Sequence, residues 1–124
     1  MGMHEAGLVF DSDLLAGFNG LSFMPKIWAM GSNSLKPVLR LYGDRIEYCG
    51  SFRLKKCDYT NIEKVDVLTI PFTKSVVLYF NHTPRTFSGN FRREQDRVAC
   101  LRSFLAKECQ LTEEALVLAG VLKH

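Results

Sequence analysis

The side chains of this sequence with the chemistry to catalyse, ligate or hold charge are four cysteines, three histidines and a scatter of arginines and lysines. Nucleophilic catalysis needs a cysteine or serine beside a positioned base. His4 and His124 lie near the chain ends, where fraying is common, and His82, just before Thr83-Pro84, reads as a turn residue. No triad emerges, so the sequence reads as non-catalytic; a small cysteine-dependent enzyme using Cys49 or Cys57 is the remote alternative. A metal site needs converging donors. Cys100 and Cys109 are nine residues apart, which at about 100° per residue puts them on opposite sides of one helix. Cys49 and Cys57 face the same way on adjacent strands but are offset by about four residues, roughly 13 Å, too far for a disulfide or a shared ion. Neither a metal nor a cofactor is expected, and without a CxxC pair the thiols read as reduced.

Charge offers a second kind of chemistry. Lys36, Arg40, Arg53 and Lys55 are a candidate anion- or lipid-binding set, with Arg45 and Glu47 on the same predicted face. Arg92, Arg93 and Arg97 gather at the start of a predicted helix, where the macrodipole disfavours cations, a hint of an anion or acidic partner. Against 16 lysines and arginines stand 13 acidic residues, a net charge of +3. This mild excess permits an anionic lipid or acidic partner and argues against nucleic acid, whose domains carry larger, clustered excesses. Glu113 and Glu114 follow Thr112 and read as the acidic first turn of a capped helix, not as a general acid and base.

At 47% hydrophobic and 23% charged, the 124 residues have the composition of one folded domain. The longest stretch without charge, from Leu14 to Pro25, is short and broken by Gly17, Asn19 and Gly20, so no transmembrane segment is expected. Met1-Gly2-Met3-His4-Glu5 lacks a basic signal region, and the cytoplasm is the expected location, peripheral at a membrane if the lipid reading holds.

Positioning these side chains falls to short strands. Residues 1–20 form an N-terminal extension with a short helix expected from Asp11 or Ser12 to Phe18. Apolar runs bounded by Gly, Pro, Asn or Asp predict seven strands, over 22–30, 37–42, 45–49, 53–58, 62–70, 75–81 and 85–91. Their brief separators favour antiparallel neighbours. A two-residue turn at Gly43-Asp44 pairs Leu41 with Ile46, Arg40 with Glu47 and Leu39 with Tyr48, apolar to apolar and charge to opposite charge. The same test on the next hairpin rejects a two-residue loop and selects three residues, 50–52, pairing Tyr48 with Leu54 and Glu47 with Lys55.

From residue 94 the period becomes helical. Val98, Leu101, Phe104, Leu105 and Cys109 share one side of a helix over 94–109. A last short helix over 113–122 is too apolar to be left in water. The strand over 75–81 is apolar on both faces, so the N-terminal segment, the last helix or another subunit must cover it. Val77, Tyr79, Leu116, Leu118 and Val121 are therefore the candidate interface.

Leu39-Arg40-Leu41-Tyr42-Gly43-Asp44-Arg45-Ile46-Glu47-Tyr48 resembles a hairpin of pleckstrin-homology-like domains, including their bacterial and GRAM branches. Tyr59-Thr60-Asn61-Ile62-Glu63-Lys64-Val65 is similar to a second segment of theirs, and the order of elements matches over about 21–109. The resemblance implies a mainly β fold: a seven-stranded antiparallel bent sandwich or partly open barrel, capped by a C-terminal amphipathic helix, with short helices possible at both ends. It also implies a single-domain, non-catalytic interaction module mediating self-association or binding to a partner protein, with an anionic membrane lipid as the alternative ligand. Of the basic motif carried by inositide-binding members, Lys36 and Arg40 are the matching positions.

Overall fold

Most of the β-branched and alternating runs become strands in a computed structural model, which describes residues 8–14, 16–21, 30–31, 38–49, 54–68 and 74–122. The strands are β1 (Leu8–Asp13), β2 (Ala16–Leu21), β3 (Met30–Gly31), β4 (Val38–Tyr42), β5 (Ile46–Cys49), β6 (Lys55–Cys57), β7 (Ile62–Leu68), β8 (Ser75–Phe80) and β9 (Arg85–Asn90). Two helices follow, α1 (Glu94–Ala106) and α2 (Glu113–Leu118). One antiparallel sheet has the order β1-β4-β5-β6 and the other β3-β2-β9-β8-β7. Together they make the mainly β, helix-capped sandwich expected, and the described strands do not close into a barrel.

Among the described residues nine strands stand where seven were predicted, because the segment expected to form an N-terminal helix is instead β1 and β2. Residues 8–13 run beside β4, and 16–21 run along the whole of β9. Gly17 and Gly20 are poor helix formers, and the ladders offered by β4 and β9 decide the outcome. Of the strand expected over 22–30, only Met30 lies among the described residues, in β3.

The β4–β5 hairpin has the predicted register: Leu39 opposite Tyr48, Arg40 opposite Glu47, Leu41 opposite Ile46. The Tyr42 amide donates to the Arg45 carbonyl at 2.8 Å, closing the turn. The next hairpin differs. Tyr48 pairs with Lys55, Glu47 with Lys56 and Ile46 with Cys57, a register one residue away from the expected pairing of Tyr48 with Leu54 and Glu47 with Lys55. A shift of one residue exchanges the faces of a strand: Lys55 and Cys57 turn to the side of Tyr48 and Ile46, while Leu54 is left 51% exposed. Cys49 and Cys57 then have opposite parity, and neither is in a disulfide.

Leu39, Leu41, Ile46 and Tyr48 from one sheet meet Val65, Val67, Val76, Leu78, Phe80 and Phe87 from the other, with Cys100, Leu101 and Phe104 of α1 in the same cluster. Burying each of the larger side chains contributes about 1.5–3 kcal/mol. Phe10 of β1 rests on Phe91, just after β9, with ring centroids 6.1 Å apart. Helix α1 is shorter than the 94–109 expected, ending at Ala106 in a Schellman turn. The Cys109 amide donates to the Phe104 carbonyl at 3.1 Å and the Glu108 amide to that of Leu105 at 2.9 Å. Its buried stripe is Arg97, Cys100, Leu101 and Phe104, with Val98 and Leu105 only half-buried.

The last helix docks within the chain. The Val65 amide donates to Gln110 O at 2.8 Å and the Thr112 amide to Val65 O at 2.9 Å, laying residues 110–112 along β7. Thr112 caps α2, accepting from the Ala115 amide at 3.3 Å, and donates its hydroxyl to Asp66 Oδ1 at 2.8 Å. Ala115 and Ala119 are fully buried, and Arg102 Nε of α1 donates to the Ala119 carbonyl at 2.8 Å. Lys107 reaches the other way, donating to Gly43 O at 2.9 Å, while the Tyr59 hydroxyl donates to Tyr42 O, so the β4–β5 turn is tied to the end of α1.

Candidate anion-binding cleft

Because Lys55 pairs with Tyr48, its side chain stands on the ring's side of the sheet. Across from it, Phe80 ends β8, the turn 81–84 carries His82 and Thr83, and Arg85 and Thr86 begin β9. The three segments enclose an open cleft of about 380 Å³ lined by Tyr48, Lys55, Lys56, Phe80, His82, Thr83, Arg85 and Thr86.

Aromatic rings form the floor. Tyr48 and Phe80 stack with centroids 5.3 Å apart and planes at 17°, and Phe87 lies 5.0 Å from Tyr48 behind them. His82 extends the group outward, 5.8 Å from the Phe80 ring. Burial pushes the Tyr48 phenol up to about 12, with Cys57 adding to the shift, so it is a neutral hydroxyl at physiological pH. The rim is cationic. Arg85 is exposed and Lys55 half-buried, while Lys56 alternates to the outward face opposite Glu47; among the described residues no carboxylate lines the cleft and no ion pair engages these three cations. Thr83 Oγ1 is occupied by the Arg85 amide at 3.2 Å, which holds the turn. Such a surface can concentrate an anion while offering apolar contact.

Only part of the predicted basic set comes together here. Lys36 and Arg53 lie outside the described residues. Lys55 lines the cleft. Arg40 instead pairs with Asp11 at 3.4 Å. Arg45 is held by Asp44 at 2.9 Å and Glu47 at 3.1 Å and lies over the Tyr42 ring. The outward face of β4 and β5 is thus neutralised by its own carboxylates. Lys56 and Arg85 were not among the sequence candidates, and His82 was read only as a turn residue. The Lys55-Lys56 doublet and a turn with His82 and Arg85 were visible, but nothing local says that they meet.

Of the arginines at the start of α1, Arg93 and Arg97 also have local partners. Arg93 pairs with Asp96 at 3.2 Å. Arg97 is buried, bonded to both oxygens of Glu94 at 2.8 and 3.0 Å, with the carbonyls of Leu68 and Ser75 at 3.5 Å. It ties the helix to the ends of β7 and β8.

Among the interface candidates, Val77 is 1% exposed within the single chain, so its side chain is not available to a partner. Tyr79 is half-buried with Lys64 Nζ 4.6 Å from its ring centre. Leu116 and Leu118 are half-buried against the core, and Val121 is 58% exposed. Burial pushes the Cys57 and Cys109 thiols up to about 11 and raises Cys100 well above its ordinary value, so these three are protonated at neutral pH.

Among the described residues, no three His, Cys, Asp or Glu side chains converge as a metal site would need, and no helix is long and apolar enough to cross a membrane. No protein-family model matches the chain, and no curated protein matches it.

Proposed function

We propose that this chain is a non-catalytic, pleckstrin-homology-like binding module whose ligand is anionic and is taken up in the cleft between β6 and the β8–β9 turn. The observation that carries the reading is Lys55 and Arg85 at the mouth of the cleft, with no carboxylate lining it among the described residues. A module of this kind works in the cytoplasm, and at a membrane surface where the anion is a lipid headgroup. Amide chemical shifts followed during titration with inorganic phosphate test it. Changes at Lys55, Lys56 and Arg85 that are lost in Arg85→Glu and weakened by salt support the reading; shifts spread evenly over the surface reject it. Vesicles with and without acidic lipid, sedimented with the protein, distinguish a headgroup from a soluble anion.

Self-association is a second reading, favoured by Val121 and Leu122, 58% and 39% exposed just beyond α2. Light scattering at micromolar concentration should then show a dimer that Val121→Glu dissociates, whereas a monomer throughout removes this reading.

A further inference from the structure

β6 is the last strand of its sheet. The Tyr42–Arg45 bond that closes the β4–β5 turn fixes where the backbone groups of β6 point, because bonded and non-bonded pairs alternate along antiparallel strands. Ile46–Cys57 and Tyr48–Lys55 are then the bonded pairs, and the amide and carbonyl of Lys56 point away from β5. Among the described residues nothing bonds to either. On the other sheet the edge strand β7 is closed by the chain itself: Val65 bonds Gln110 and Thr112, and the Val67 amide donates to Asp66 Oδ1 at 2.8 Å. Charge says what the open edge fits. Across the outward face the row Asp11, Arg40, Glu47, Lys56 alternates in sign and ends on a cation, so a carboxylate continues it. On the inward face Lys55 stands with Arg85 across the cleft. A second copy pairing β6 to β6 would instead bring lysines against lysines, which opposes pairing. Resting on the anion-binding reading, we infer that the anion is carried on an extended acidic segment of a partner protein, which adds to β6 as a further strand. Side chains alternate across a strand, so two adjacent carboxylates of the segment meet the two lysines on opposite faces, the inner one entering the cleft between Lys55 and Arg85. The Lys56 amide and carbonyl supply the pair of backbone bonds that sets the register.

The probe is a capped hexapeptide with two adjacent glutamates between valines and threonines, titrated into the full chain and followed by amide chemical shifts. It should bind about tenfold more tightly than the same peptide N-methylated along its pairing edge, which keeps the charges and loses the backbone bonds. Hydrogen exchange of the Lys56 amide should slow severalfold on binding, and Lys56→Glu, at an exposed position, should weaken the peptide severalfold. Equal binding of the two peptides, or unchanged exchange at Lys56, overturns the strand inference and leaves the anion site standing where inorganic phosphate still binds. Acidic vesicles that take up the chain without competition from the peptide overturn it in favour of a lipid headgroup. No response to peptide, vesicle or phosphate removes both readings.

Discussion

Glu108 and Gly120 occupy the same position in successive helix ends, the left-handed residue of a Schellman turn, with φ of 64° and 82°. After α1 the amides of Glu108 and Cys109 return to Leu105 and Phe104; after α2 those of Gly120 and Val121 return to Val117 and Leu116. Only one of the two turns has the residue its geometry favours. Glu108 carries both the steric penalty of a Cβ at positive φ and a negative charge at the negative end of the helix dipole. Glu108→Gly should therefore stabilise the fold by about 0.5–1 kcal/mol despite the extra freedom it gives the unfolded chain. Gly120→Ala should cost about 1–2 kcal/mol, since a Cβ there also stands 3.0 Å from Arg102 Nη2. Urea unfolding of the two variants should move in opposite directions; a loss of stability in Glu108→Gly would show the reasoning to be wrong.

Thr112 joins α2 to the sheet by capping the helix and bonding Asp66 with one hydroxyl. Thr112→Val keeps the shape and removes both bonds, for an expected loss of about 1–2 kcal/mol. In a double-mutant cycle with Asp66→Asn, the two changes should be clearly non-additive. Additive effects would mean that the hydroxyl acts through the cap alone.

Gly89 in β9 is closely covered by Leu14, whose Cδ1 would lie 2.8 Å from an added Cβ. Both residues are buried, so Leu14 has little room to withdraw. Gly89→Ala should destabilise by about 1–3 kcal/mol, as small-to-large core changes do. Adding Leu14→Val should recover part of that loss in thermal melts, although it is a large-to-small core change by itself. A double variant that melts below both singles would refute the contact.

Burial holds the Cys57 and Cys109 thiols at about 11 against an ordinary 9.0, with Asp58 and Cys109 adding to the shift at Cys57. The folded state thus favours the neutral thiol. Below pH 9 both states keep their protons and the full stability is present. Above it the unfolded thiols ionise first, so stability falls as pH rises from about 9 through 11. The urea midpoint should hold steady from about pH 7 to 8.5 and then decline, less steeply in Cys57→Ala. A midpoint unchanged up to pH 11 would contradict it.

The β4–β5 hairpin was legible because its turn residues and its cross-strand pairs, Leu41–Ile46 and Arg40–Glu47, point to the same register. On the next hairpin the local criterion failed. Pairing Tyr48 with Leu54 satisfied it, yet the sandwich places Lys55 there and leaves Leu54 outside. β1 and β2 were missed for a different reason: their partners β4 and β9 are distant in sequence, and residues 11–18 carry no strand pattern strong enough to stand alone. Arg97 shows the limit of periodicity. A charge on the buried stripe reads as solvent-facing until Glu94 and the carbonyls of Leu68 and Ser75 surround it. The cleft was hidden for the same cause as β1 and β2, since Tyr48, Lys55 and Arg85 come together only through tertiary pairing.

The bonds of Val65 to Gln110 and Thr112 have a consequence beyond holding α2. An unpaired strand border is a template on which further chains can polymerise. Here the chain's own tail takes up the amide and carbonyl of Val65, one point on the β7 border that a neighbouring molecule could otherwise use. Removing residues 110–122 would therefore free the amide and carbonyl of Val65 at this border for pairing with another chain.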